Sequence, residues 1–230
     1  NPYLLRSFNY IGNSFVINKK LLVKLNNFLI SEKNFHYDLI LHCAENTNNF
    51  THISIPSFST FKTQKIDQSK ILSNHIRRLG LNAKIKYYDN LNSYRVNYLL
   101  ENEPKVSIII PTKNNKSLLK RCIDSLENNT NYKNFEIIII DNNSDDRETL
   151  EYYDYLDYEI ILYPHPFNFS KMNNLGVANA QGDFILCLND DTKAIDPDWL
   201  TEMVSICQQN DVGIVGAKLL HSNGTIQHAG

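Results

Sequence analysis

The segment Phe184 to Leu200, FILCLNDDTKAIDPDWL, runs an apolar stretch directly into Asn189, Asp190, Asp191 and Thr192. Adjacent carboxylates repel, and burying them unpaired is costly. A cation removes that objection, and two carboxylates suit a hard divalent ion. Two more apolar runs end in polar clusters: VSIII leads into PTKNN (111–115), and FEIIII leads into DNNSDD (141–146). Thr112 and Asn114 offer neutral hydrogen-bonding groups, and Asp141 offers a carboxylate able to hold a ribose or a base edge. One acidic strand end is commonly a cap or a turn. Three along one edge point to a ligand site, because open α/β sheets bind ligands at the carboxyl ends of their strands.

A phosphate-bearing ligand would need positive charge from somewhere. The chain has neither G-x-x-x-x-G-K-[ST] nor G-x-G-x-x-G at its first strong strand, which excludes the P-loop and dinucleotide fingerprints. A divalent cation on the acidic pair would supply that charge, with Lys113 or Lys171 as helpers.

The elements that must position these groups alternate regularly from Lys105 onward. Strands are expected at KVSIIIP (105–111), FEIIIID (135–141), EIILY (159–163), DFILCL (183–188) and VGIVGAKLL (212–220). Between them lie helical patterns at 115–129, after DNNSDD with Ser144 or a nearby Asp as cap, at 169–182 with Gly182 as the stop, and at 196–210 with Pro197 in the first turn. The alternation predicts an α/β fold: a Rossmann-like, mostly parallel sheet with helices on both faces. A smaller α/β segment precedes it. There the patterns give strands at NSFVI, HISIP, AKIKYY and SYRVNYL and helices at KKLLVKLNNFL, FHYDLILHCAENT and DQSKILSNHIRRLG. LENEPK (100–105) is the best linker candidate.

Composition sets the remaining bounds. The 230 residues are 42% hydrophobic and 11% aromatic, which excludes global disorder. A net charge of −2 gives no general electrostatic case for nucleic acid or an anionic membrane, although a local patch can hide beneath a neutral total. Cys43, Cys122, Cys187 and Cys207 form no C-x-x-C pair and read as reduced core thiols. No apolar run is long enough to span a membrane. The seven histidines lack zinc-ligand spacing, and Tyr152, Tyr153, Tyr155 and Tyr158 read as packing. A chain that opens at Asn1 and stops at IQHAG reads as a piece of a longer polypeptide.

Taken together, VSIIIPTKNNKSLLKRCIDSL, NFEIIIIDNNSDD, FNFSKMNNLGVANAQGDFILCLNDDTKAIDPDWLTEM and VGIVGAKLLHSNGTIQHAG resemble the nucleotide-sugar half of a family 2 glycosyltransferase of the kind that builds bacterial O-antigen and capsule. The resemblance covers Lys105–Gly230. It implies a GT-A fold, transfer from a nucleoside diphosphate sugar with inversion, and Mg2+ or Mn2+ as cofactor. It puts Pro111, Thr112, Lys113 and Asn114 beside the nucleoside, and Asp141 and Asn143 on the uracil or ribose side. Lys171, Asn173 and Asn174 fall beside the donor. Asn189, Asp190 and Asp191 stand in place of the D-x-D motif, with Asp191 as the better metal ligand and Asp190 as the weaker.

Residues 1–65 resemble the acceptor-side tail of an upstream domain of the same type, with 66–104 as connector. The resemblance puts the general base of that tail at His36, where relatives carry a carboxylate, or at Asp38 nearby. The base of the downstream domain is expected beyond Gly230. The expected donor is a UDP- or dTDP-sugar, the acceptor a glycan or lipid-linked sugar, and the location cytoplasmic, peripheral at the inner face of the membrane. A nucleotide-sugar-binding or scaffolding domain without turnover is the alternative that the His36 departure favours.

Overall fold

The charged stretch LENEPK coincides with a division of the chain. In the computed structural model, which describes residues 1–25, 35–52 and 67–229, Asn1–Leu99 and Leu100–Gly230 form two units.

The first unit begins with α1 (Pro2–Ser7), whose start is set by Pro2 at the first helical position and by the Asn1 side chain, which accepts from the amides of Tyr3 and Leu4. Then follow α2 (Lys19–Lys24), α3 (Phe35–Asn46) and α4 (Ser69–Arg78). A hairpin closes the unit, with β1 (Ala83–Tyr88) antiparallel to β2 (Ser93–Tyr98). Leu5, Tyr37, Ile40, Leu41, Ile71, Leu72 and Tyr94 form its core. The stretch 66–104, expected as connector, therefore holds a helix and a hairpin that pack with α1 and α3. NSFVI (13–17) is not a strand: Val16 is fully exposed, and no neighbouring strand among the described residues offers it a ladder. HISIP from residue 53 and the second half of the KKLLVKLNNFL pattern lie outside the described residues.

A buried polar network crosses this unit. Arg6 donates from Nε to His75 Nε2 at 3.3 Å, and from Nη1 to the Tyr98 hydroxyl at 2.9 Å. The other imidazole nitrogen, Nδ1, lies 2.7 Å from Glu45 Oε1, which Arg78 also engages at 2.8 Å. An Nε2 that accepts from Arg6 requires a neutral imidazole. Burial accordingly pushes the His75 pKa down. Burial pulls Glu45 up, but hydrogen bonds from His75 and Arg78 outweigh it and hold the carboxyl below its usual value. Both groups are depressed in the folded state, so both contribute stability that is present at neutral pH and lost on acidification. Lowering the pH below the ordinary histidine value of 6.5 should weaken this unit by roughly 1 kcal/mol per pH unit. Hydrogen exchange of peptides from 67–99 at pH 7.5 and pH 5.5, corrected for intrinsic rates, will read it, and equal protection would contradict the account.

The second unit is built on near-continuous isoleucine runs, the pattern of strands buried on both faces. In chain order it comprises β3 (Val106–Thr112), α5 (Lys116–Asn128), β4 (Phe135–Asp141), α6 (Arg147–Tyr153), β5 (Glu159–Leu162), α7 (Phe169–Asn179), β6 (Phe184–Cys187), α8 (Trp199–Cys207), β7 (Leu219–Leu220) and β8 (Ile226–His228). The first four strands form one parallel sheet in the order β5-β4-β3-β6. Side chains alternate across it. Ile108, Ile110, Ile137 and Ile139 meet Leu119, Ile123 and Leu126 of α5 and Leu200 and Val204 of α8. Ile109, Ile138 and Ile140 meet Met172 of α7 on the opposite face. The expected parallel α/β sheet with helices on both faces is thus observed.

Four expectations are corrected. VGIVGAKLL adds no fifth strand to this sheet: only Leu219–Leu220 is extended, and it pairs antiparallel with Ile226–His228. Gly213 and Gly216 bring no side chain to pack, which weakens a strand. β6 is therefore an edge strand, and Cys187 on it is exposed rather than a core thiol. Gly182 is not a left-handed helix stop, because α7 ends at Asn179 with an extended cap at Ala180. Its role is close approach: a Cβ there would sit 2.6 Å from the Ser107 amide nitrogen. Finally, α8 begins at Trp199, so Pro197 precedes the helix and its carbonyl accepts from the Asn131 amide.

Candidate functional site

The chain runs outward from β3 to β4 to β5, then crosses beneath the sheet through α7 and returns to the other side of β3 as β6. This reversal makes the carboxyl end of β3 a topological switch point, the place where open α/β sheets hold ligands. Thr112 and Asp141 are register partners there. Pro111 is tolerated one residue earlier because the ladder to β6 ends at Ile109 and Leu188, so no partner carbonyl waits for its missing N–H.

Beyond β6 the chain turns at Asn189, whose carbonyl accepts from Thr192. The turn brings Asp190 against β3. Thr112 donates from Oγ1 to Asp190 Oδ2 at 2.7 Å, and Asn115 Nδ2 reaches the same oxygen at 3.3 Å. Asn115 stands at the N-cap of α5 but makes no side-chain capping bond. Its amide serves the acidic pair rather than its own helix. Arg121, one turn into α5, donates to the Asp191 carbonyl at 3.4 Å. The Asp191 side chain is exposed, and no hydrogen bond or ion pair engages its carboxylate among the described residues. Cys122 lies beneath, with its thiol toward the Asn189 carbonyl. Burial, and then the charges of Asp190 and Asp191, push this thiol up to about 12, so it stays protonated.

Asp141 is buried at the end of β4 and receives three donors: the Ser144 amide, the Ser144 hydroxyl and the Tyr153 hydroxyl, the last at 2.9 Å. Burial, with the Asp141 charge beside it, pushes the Tyr153 pKa well above the usual value, so this phenol is a donor at any physiological pH. Asn142 holds the next segment, donating to the carbonyls of Tyr163 and His165 at 3.1 and 2.8 Å.

Asn114 links the two strand ends. Its φ of 47° lies in the left-handed region, which asparagine tolerates better than most residues; Asn143, at 58°, does the same in the facing loop. The Asn114 side chain accepts from the amides of Asp145 and Asp146 and donates to Asp145, while its own amide donates to Ser144. Its side chain is thus spent on tying β3 to the β4 loop rather than left open to a ligand.

The structure brings together Pro111, Thr112, Asn114, Asp141 and Asp190 along this edge. Lys113, Asn143, Lys171, Asn174, Asn189 and Asp191 are exposed. Asn173 is buried on α7; its amide nitrogen bonds the Phe169 carbonyl and its Oδ1 has no partner. In the first unit, His36 stacks on Phe35 at 4.1 Å and meets Phe15 edge-on. Asp38 pairs with Arg78 at 3.3 Å and His42 at 3.2 Å. Asn115, Arg121, Ser144 and Tyr153 were not singled out as site residues. Ser144 was legible only as a cap, although its partner Asp141 is three residues back in DNNS, a local Asx-type signal that could have found it. Tyr153 was legible only as one of four packing tyrosines, because no local pattern links it to Asp141.

Tyr153→Phe should cost about 1.5 kcal/mol of stability, the low end for a hydrogen bond to a charged group. Urea unfolding followed at Trp199 will measure it, and an unchanged midpoint would show the bond to be dispensable.

Residues 107–229 match the family described as glycosyl transferase family 2. The chain belongs to this family, and its parallel sheet covered by helices is the α/β architecture expected from the sequence. Over its whole length it is 34% identical to the O-antigen biosynthesis protein RfbC of Myxococcus xanthus and 33% identical to the protein y4gI of Sinorhizobium fredii. It spans only 19% and 28% of those relatives. Among solved structures, the mannosyltransferase PcManGT of Pyrobaculum calidifontis, in complex with GDP-Man and Mn2+, aligns with TM-score 0.43 and 21% identity over 49% of this chain and 35% of its own.

Proposed function

We propose that Leu100–Gly230 is the donor-binding half of an inverting glycosyltransferase. It would move a sugar from a nucleoside diphosphate sugar, UDP- or dTDP-linked, to a glycan or lipid-linked acceptor in cell-surface polysaccharide synthesis. The observation that carries this reading is the convergence of Thr112, Asp141 and Asp190 at the switch point of the sheet. Family membership and the naming of the RfbC relative for O-antigen biosynthesis support the reaction class and the setting.

The residues present fit a hard divalent cation. Asp190 uses one oxygen on Thr112 and Asn115, which fixes its carboxylate and leaves Oδ1 for coordination. Asp191 beside it is unengaged. No set of three or more His, Cys, Asp or Glu is gathered for a metal among the described residues. Two carboxylates with the remaining oxygens from water and diphosphate is a common arrangement for Mg2+. When bound, the ion would offset negative charge developing on the leaving diphosphate. Asp141, already given three donors, is fixed to present its remaining acceptor capacity to the nucleoside. The carboxylate that deprotonates the acceptor is assigned outside this unit.

Residues 1–65 are read as the acceptor-side tail of an upstream domain. The stacking of His36 and the pairing of Asp38 favour a tail without a working base, which keeps a binding-only role open for that segment. The cytoplasmic face of the membrane fits a cytosolic donor, and no helix among the described residues is long and apolar enough to cross a bilayer.

Donor choice is tested by titrating UDP-, dTDP- and GDP-sugars with Mn2+ and following thermal unfolding at Trp199. Stabilisation by a UDP- or dTDP-sugar supports the reading. A shift confined to GDP-sugars would overturn the nucleotide assignment, and no shift with any nucleotide would overturn the donor site.

A further inference from the structure

The near-neutral total charge conceals a strong asymmetry. Residues 1–99 carry thirteen Lys and Arg against five Asp and Glu, whereas 100–230 carry ten against twenty. A charge imbalance of this size between halves is the electrostatic footprint of a polyanionic surface partner for the basic half. Of the five acids, Asp38 and Glu45 are already taken by Arg78, so the unit's spare charge is almost wholly positive.

Part of that charge is concentrated on α2. Its sequence, KKLLVK, is anchored by the Asn18 side chain, which accepts from the Lys20 amide at 2.9 Å. At 100° per residue, Leu21 and Leu25 fall on one side, and both are half-buried. Lys19, Lys20, Leu22, Val23 and Lys24 are all exposed, Leu22 by 43% and Val23 by 62%, and Val16 just before the helix is fully exposed. None of the three lysines has a carboxylate partner among the described residues. Two adjacent aliphatics held in solvent between three lysines make poor sense as a solvated face, which would place polar residues at all these positions. They do make sense at a bilayer interface, where ammonium groups meet anionic headgroups and short aliphatics enter the acyl boundary.

We infer that α2 and Val16 form a docking surface for an anionic phospholipid bilayer. The first unit thereby supplies a peripheral membrane contact within this chain. The inference does not rest on the donor site, and its test contains no nucleotide.

The test is co-sedimentation of the chain with vesicles, either of phosphatidylcholine alone or of equal parts phosphatidylcholine and phosphatidylglycerol. Binding is expected to the anionic vesicles only, and to be lost in about 0.5 M salt, where screening acts within a few ångströms. The variant Lys19→Gln/Lys20→Gln/Lys24→Gln should bind on the order of 100-fold more weakly, each lysine near the surface contributing about fivefold. The variant Leu22→Ser/Val23→Ser should bind roughly tenfold more weakly. All substituted positions are exposed, and unchanged thermal unfolding confirms that the fold is kept. Wild-type protein that ignores anionic vesicles overturns the inference. So does binding that depends on the lysines but not on Leu22 and Val23, which would leave a purely electrostatic surface with no aliphatic contact at the acyl boundary. Self-association in sedimentation velocity that Leu22→Ser/Val23→Ser abolishes, without vesicle binding, would assign it to a second copy of the chain and overturn the bilayer reading as well.

Discussion

Gly182→Ala will lower the unfolding midpoint of the second unit by on the order of 10 °C, from a loss of about 3 kcal/mol. The added Cβ would lie 2.6 Å from the Ser107 amide nitrogen and 2.8 Å from the Lys105 carbonyl oxygen, both of them backbone atoms at the start of β3. Neither can rotate away, so the strand or the turn must move. The same turn is fastened by the Gly182 amide, which donates to Ser107 Oγ at 2.8 Å, and by the Gln181 amide, which donates to Glu136 Oε1 at 2.8 Å. Lys105 adds an ion pair to Glu136 at 2.6 Å. Displacement therefore disturbs β3, β4 and the entry to β6 together. Gly176→Ala meets a different obstacle: its Cβ would lie 2.4 Å from Cγ2 of Ile109, a fully buried β-branched side chain on the central strand, so it too is expected to destabilise. Thermal unfolding at Trp199 reads the Gly182→Ala loss, and an unchanged midpoint would contradict the packing described for the start of β3.

The second large effect is expected at Asp141. Asp141→Ala removes the acceptor of three hydrogen bonds and leaves the Tyr153 and Ser144 hydroxyls without their partner at a buried position. The stability cost should be about 3 kcal/mol, because donors left unsatisfied lose more than the net value of the bonds. Nucleotide affinity should fall by at least about tenfold, since one hydrogen bond to a charged group is worth roughly that much. Asp141→Asn keeps the shape and an acceptor oxygen, so it should recover most of the stability and less of the affinity. Urea unfolding and calorimetric titration separate the two, and an Asn variant that loses stability as fully as Ala would mean that charge, not hydrogen bonding, holds this strand end.

How much of this was legible in advance follows from where the information sits. The isoleucine runs of β3 and β4 and the helices between them follow from local periodicity, and the boundary of β4 at Phe135–Asp141 was read directly. The alternation of Ile108 and Ile110 against Ile109 follows from the pleat alone. The edge position of β6 was not legible, because VGIVGAKLL has the composition of a strand and only its lack of a partner makes it otherwise. Gly182 read as a helix stop by position, whereas its reason is a close approach to Ser107, 75 residues away in sequence. The site divides similarly. Asp141 and the Asp190-Asp191 pair stand out because acids at the ends of apolar runs need an explanation. Asn114 was read as a ligand group, but its side chain ties two loops together, and Asn115, the neighbour read as a helix start, reaches Asp190. The first assignment depends on a fold that brings residue 114 against 144–146, and the second on one that brings 115 against 190; no local pattern encodes either.

The central claim is that Asp190 and Asp191 hold a divalent cation through which the nucleotide diphosphate binds. Calorimetric titration of UDP and dTDP into the chain, with Mn2+ and with chelator, for the wild type and for Asp191→Ala, tests it most directly. The account predicts binding to the wild type with Mn2+, a loss of at least about 100-fold with chelator, and a similar loss in Asp191→Ala with the fold intact by thermal unfolding. Binding of equal strength in chelator, or in Asp191→Ala, would contradict it.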